Sequence, residues 1–316
     1  MTYNNTLVTG GSNLSGIVYR ITIVQVLVVI FLSVNFLQLT TIFKKDFFYR
    51  TMRYILFANT LIADCMTLLV SNLLVILLNF QVTMQVWLCL MFYFELSLHN
   101  FITPVTLTAM TLERYVAICM PLRHGELCST RRALHSILII HALSSIPFIV
   151  IISALFSSVT VRFSIEYVLC SVEVTAFYNW QRYLRSVICQ FYFLIMCIII
   201  VFCYVKITKV AKAASGESKK STSKGLRTVV LHAFQLLLCL INLLCPLIES
   251  ALYQIDFMLL HHVRYINFII FGLAPRCLSP LIYGLRDEKF VHELKYNAFC
   301  GLHRKRSVLK QKIIVG

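Results

Sequence analysis

The sequence predicts an all-α membrane protein, a seven-transmembrane helix bundle followed by a short amphipathic cytoplasmic helix. Its 316 residues are 59% hydrophobic and only 13% charged, with a mean hydropathy of +0.80, too apolar for a chain that must present a polar surface to water. Seven apolar stretches reach the roughly twenty residues that cross the hydrocarbon core as a helix. The basic residues between them fall predominantly on one side of the membrane.

Residues 1–20 form a polar tail with two glycosylation sequons, Asn4-Asn5-Thr6 and Asn13-Leu14-Ser15, which predict an extracellular segment modified at Asn4 and Asn13. No cleavable-signal pattern precedes the first apolar run, so that run is expected to serve as its own insertion signal. The membrane-spanning unit, 21–283, contains the spans 21–43, 54–80, 86–118, 133–156, 183–205, 226–253 and 263–283. The third is long and should tilt. Residues 213–225, rich in Ser, Lys and Gly, read as a flexible basic loop. Residues 284–316 hold the amphipathic helix and a basic tail, with Phe290, Val291 and Leu294 on one face turned to the inner leaflet. Cys300 follows, either palmitoylated or a plain thiol.

The segments after spans one, three, five and seven carry 23 of the 29 Lys and Arg, the opposite side carries five, and Arg276 lies within a span. This asymmetry places the N-terminus outside and the C-terminus in the cytoplasm. The net charge of +16 is therefore read as facing anionic headgroups of the bilayer, and a nucleic-acid partner is excluded. Most of the twelve Cys stand singly in apolar segments, as small buried thiols. No CxxC pair or His-rich spacing offers a metal site, and no nucleophile with its base points to an enzyme; no cofactor is implied. A transporter would show a polar route or two related halves, and spans four and five contain few ionisable groups.

Span three ends in Leu112-Glu113-Arg114-Tyr115-Val116-Ala117-Ile118-Cys119-Met120-Pro121-Leu122. A charge at the bilayer centre costs roughly 3 kcal/mol on insertion scales, so Glu113 and Arg114 belong at the water interface. This run, continued by Arg123-His124, and span seven ending in Pro280-Leu281-Ile282-Tyr283-Gly284-Leu285-Arg286 resemble the rhodopsin-like (class A) G-protein-coupled receptors, and within them the odorant receptors, closer to the fish type. Val230-Leu231-His232 stands where odorant receptors carry Ser-His.

The resemblance implies a receptor that binds a small-molecule odorant within the bundle and activates a heterotrimeric G protein, of the stimulatory type that raises cyclic AMP. A class A receptor for a peptide or lipid is the alternative. By position, Asn35 and Asp64 match the family's polar anchors, with Asn59 in support, and Cys89 and Cys170 match its disulfide, worth roughly 4 kcal/mol in a chain-entropy account. Glu113, Arg114 and Tyr115 match the coupling triplet, in which a Glu113–Arg114 ion pair holds the resting state. Tyr204 and Tyr283 match the tyrosines that approach the arginine on activation. Pro246 and Pro280 can bend spans six and seven.

The sequence departs from the family at several points. His141 stands near the place of the span-four Trp, Ser279 replaces the Asn before Pro280, span five lacks its Pro, and span six reads Leu243-Leu244-Cys245-Pro246. Arg276 stands where the family has a small polar residue lining a sodium site. A charged Arg in hydrocarbon needs a partner, and Asp64 is expected to supply it, with Thr103 and Ser279 nearby. The alternative is an unpaired Arg276 in a water channel. The ligand cavity is expected between the outer halves of spans three, five, six and seven. Tyr93, Leu96, Asn100 and Thr103 share one helical face, and span six adds Glu249, Ser250 and Tyr253. Leu96 stands where amine receptors carry an acid, which disfavours an amine ligand. Glu95 and His99 either line the cavity or pair with neighbouring helices.

Overall fold

A computed structural model describes residues 5–158, 163, 165–175, 178–214, 234, 237–242, 244–245, 248–249, 251–252, 257–276 and 288–298. Its elements are α1 (Asn5–Phe43), α2 (Asp46–Tyr49), α3 (Met52–Asn79), β1 (Thr83–Gln85), α4 (Val86–Cys119), α5 (Pro121–Leu127), α6 (Thr130–Phe156), β2 (Tyr167–Leu169), α7 (Asn179–Ala214), α8 (Phe257–Asn267) and α9 (Glu288–Ala298). A 3-10 turn, Val172–Thr175, precedes α7, and a π-helical turn, Phe268–Leu273, continues α8. The described residues of 237–252 are helical and belong to span six.

Among the described residues, five helices are long and apolar enough to cross a membrane: Ile21–Phe43, Met52–Asn79, Val86–Cys119, Thr130–Phe156 and Asn179–Val210. The apolar part of α1 begins at Ile21, but its helix runs back to Asn5, through most of the segment read as a tail. A backbone in lipid must satisfy its own hydrogen bonds, and helices do this internally. Their polar side chains follow suit: the hydroxyls of Thr67, Thr106, Thr108 and Thr111 donate to carbonyls four residues earlier, at 2.7–2.9 Å.

Helix α4 is the central strut, packed against α3, α6 and α7. Its 34 residues span about 51 Å, well beyond the hydrocarbon thickness, so both ends project into water. The main core gathers Leu56, Phe57, Leu61, Ile102, Leu107, Met110, Ile140, Met196 and Leu240. Cys189, Cys203, Cys239 and Cys245 are buried thiols. The outer faces remain apolar, with Val29, Leu138, Phe191 and Ile198 each about 60% exposed or more, the pattern expected when lipid is the solvent.

At one end, β1 and β2 pair antiparallel, with Met84 opposite Val168, in a small ribbon outside the helical bundle. At the other, α9 folds back onto α1 and α3. Phe290 is completely buried, its ring 5.5 Å from Phe48, 5.8 Å from Tyr54 and 6.2 Å from Phe57. Its place against the bundle corrects the expectation that the Phe290 face lies on lipid: an aromatic socket from α2 and α3 takes this side chain. Asn297 donates to Thr41 (3.0 Å), Lys44 donates to Asn297 (3.2 Å), and Lys45 pairs with Glu293 (3.2 Å).

Candidate functional site

Asp64 on α3 is a fully buried acid. Thr103 on α4 donates its hydroxyl to Asp64 Oδ1 at 3.1 Å, and Arg276 Nε lies 3.5 Å from the same oxygen. The guanidinium also donates through one terminal nitrogen to Asn100 Oδ1 at 2.7 Å and through the other to the Gly272 carbonyl. Spans two, three and seven thus meet at one ion pair. Breaking such a buried pair from one side leaves an uncompensated charge and costs about 3–5 kcal/mol.

Local backbone geometry brings Arg276 to this place. The π-helical turn Phe268–Leu273 ends three residues before it; such turns widen the helix and recur at functional sites. Gly272 lies inside that turn, and a Cβ there would meet the Phe268 ring at 3.4 Å. Asn100, assigned above to the ligand cavity, has its carboxamide oxygen engaged by Arg276, so it belongs to the polar node as well. Asn35 is fully buried on α1, beside the Cys65 thiol. Asn59 joins three helices, donating to Thr106 (3.2 Å) and bonding His141 Nε2 (3.1 Å). His141 thereby takes up a bridging position in span four. Ser279 lies outside the described residues.

Towards the ribbon end, Tyr93, Leu96 and Asn100 are half-buried on α4. The Tyr93 ring lies 6.1 Å from Phe148 of α6. Glu249 in span six is tied to span seven, accepting from Arg264 at 3.1 Å and from Asn267 at 3.4 Å. The sequence reading left these two partners out, although a lone acid and a lone base near the same ends of consecutive spans were a usable signal. The Glu95 carboxylate lies 3.3 Å from His99, an i,i+4 pairing within α4 itself and not one with a neighbouring helix. Ser250 and Tyr253 lie outside the described residues. Cys89 and Cys170 are disulfide-bonded, Cα atoms 5.4 Å apart, directly beyond the ribbon.

At the opposite end of α4, Glu113 and Arg114 diverge, because successive helical residues point about 100° apart. Arg114 turns inward and is 6% exposed. Glu113 reaches across the turn to His124 of α5, at 3.4 Å. The Tyr115 ring lies 5.7 Å from Phe202 of α7, and Tyr204 is half-buried on that helix. Ser129 caps α6, accepting from the Arg132 N–H at 3.4 Å, and Thr130 donates to the Arg50 carbonyl at 2.8 Å. Pro246, Pro280 and Tyr283 lie outside the described residues, as does Asn4; Asn13 lies in the first turns of α1.

A membrane helix bundle with a disulfide at the head of its third span, a buried acid in its second and a Glu-Arg-Tyr triplet at the foot of the third defines a class of receptor. Residues 21–283 match the family described as 7 transmembrane receptor (rhodopsin family), and the chain belongs to that family, in its odorant-receptor branch. It is accordingly a multi-pass membrane receptor with a seven-helix bundle, and not an enzyme. Among particular proteins, it is 42% identical to odorant receptor 131-2 of Danio rerio over 295 residues, covering 93% of this chain and 90% of that one.

Proposed function

We propose that this receptor detects a small-molecule odorant in the outer half of the bundle and activates a stimulatory heterotrimeric G protein, raising cyclic AMP. The observation that carries the reading is the near full-length similarity to an odorant receptor. The receptor sits in the plasma membrane, N-terminus outside and C-terminus in the cytoplasm, as the basic-residue asymmetry supports. The disulfide at the ribbon end agrees, since disulfides persist on the oxidising side. Asn4 and Asn13 are its glycosylation sites.

Odorant contacts come from Tyr93, Leu96, Asn100, Glu249, Ser250 and Tyr253. Coupling runs through Glu113, Arg114, Tyr115, Tyr204, Pro280 and Tyr283, and the network of Asn35, Asp64, Thr103, Arg276 and Ser279 connects the two ends. A ligand that binds one packing of spans six and seven better than the other shifts the population toward it. The test is a cyclic-AMP assay in cells expressing the receptor with a stimulatory olfactory G protein, screened with water-soluble odorants. The response is expected to vanish in Arg114→Ala at equal surface expression. A response that survives that substitution contradicts the coupling mechanism.

A further inference from the structure

Beside the coupling triplet, three side chains with metal-ligating atoms converge. Glu113 Oε1, His124 Nε2 and Cys128 Sγ all lie within 4.8 Å of one another, with Glu113 and His124 3.4 Å apart. Their backbone explains the meeting. Helix α4 ends at Cys119, Pro121 opens α5, and the seven residues of α5 bring the chain back past Glu113. His124 and Cys128 are four residues apart, one helical turn, and the Cys128 N–H closes that turn on the His124 carbonyl at 2.8 Å. Two ligands at this spacing on one turn, with a third from a neighbouring helix, is a common way for a protein to seat zinc.

We propose that Glu113, His124 and Cys128 form a binding site for a thiophilic divalent cation of the zinc type, with water in the fourth position. The chemistry of the set is specific: one thiolate, one imidazole and one carboxylate suit Zn²⁺ and exclude the all-oxygen preferences of Mg²⁺ and Ca²⁺. Tetrahedral Zn–N and Zn–S bonds separate their donor atoms by about 3.5 Å, so closure needs a movement of about an ångström. His124, whose side chain is 39% exposed, can make it by rotation, while the Glu113 side chain, 9% exposed, is already held. Cys128 is a free thiol, and in the orientation proposed above it faces the reducing cytoplasm, the one point at which this site rests on that reading.

Burial pushes the Cys128 thiol above its usual pKa, the Glu113 charge adds to the rise, and Arg132 opposes it. On binding, the S–H proton leaves to solvent as the sulfur–metal bond forms, one proton per ion. Protons compete with the ion for the ligand atoms, so affinity should fall as the pH is lowered. A bound ion would pin α5 to α4 one residue from Arg114.

Co²⁺ added to the purified, reduced full-length receptor is the probe. A thiolate-to-cobalt charge-transfer band in the near ultraviolet is expected, abolished in Cys128→Ser. His124→Ala should keep the band but weaken Co²⁺ affinity by roughly tenfold or more, and Zn²⁺ should displace the Co²⁺. Thermal melting of each variant in detergent checks that it is folded. Absence of the band in the folded receptor, or a band unchanged in Cys128→Ser, overturns the site. Neither outcome bears on odorant detection, because the measurement contains no ligand and no G protein.

Discussion

Gln81 follows the last turn of α3 with φ of 53°, the left-handed conformation in which non-glycine residues are strained. The hydrogen bonds Gln81 N–H to Leu78 (3.1 Å) and Val82 N–H to Leu77 (3.0 Å) form a Schellman motif, whose left-handed position usually holds Gly. Gln81→Gly is expected to stabilise the receptor by about 0.5–1 kcal/mol, the relief of a Cβ clash less the added chain entropy. A rise in thermal midpoint of the purified protein checks it. Single residues were unevenly legible in the sequence. Asp64 and Arg276 stand out because a charge in an apolar run is conspicuous and has few places to go. Asn100 and His124 do not, because a polar residue near a helix end has many partners and only the register across the neighbouring element selects one.

Among the elements, the apolar stretches marked the part of each helix that lipid surrounds, not the part that is helical. The fifth span reads as 183–205, whereas α7 runs Asn179–Ala214; nothing in its hydropathy requires a helix to stop at the headgroups. The β1–β2 ribbon was not legible at all. Three residues on each side pair across more than eighty positions, a separation over which no local sequence pattern can set the register. The final helix was legible as amphipathic, but its apolar side is divided between protein and surroundings. Phe290, fully buried, and Leu294, partly buried, are the part that packs on the protein. Phe290→Ala should cost about 3 kcal/mol or more, as truncations of fully buried aromatics do, and uncouple α9 from the Phe48–Tyr54 socket. Protease sensitivity of the C-terminal segment, together with a lowered thermal midpoint, would register both effects.

For the molecule as a whole, the function proposed above puts an ionic node, in the middle of the bundle, between its ligand end and its coupling end. In the family's usual arrangement a mobile cation neutralises the span-two acid; here a tethered guanidinium lies against it, joined to span three through Thr103 and Asn100. A tethered charge cannot leave as an ion can. Rearrangement of span seven must therefore carry Arg276 with it or break the pair. The double-mutant cycle of Asp64 and Arg276 tests this directly, with thermal midpoint and signalling read on Asp64→Ala, Arg276→Ala and the double variant. Each single change is expected to destabilise by about 3 kcal/mol or more, and the double by less than their sum, with a coupling energy of at least about 1 kcal/mol. Single effects that simply add, or single variants as stable and active as the parent, would contradict the central node.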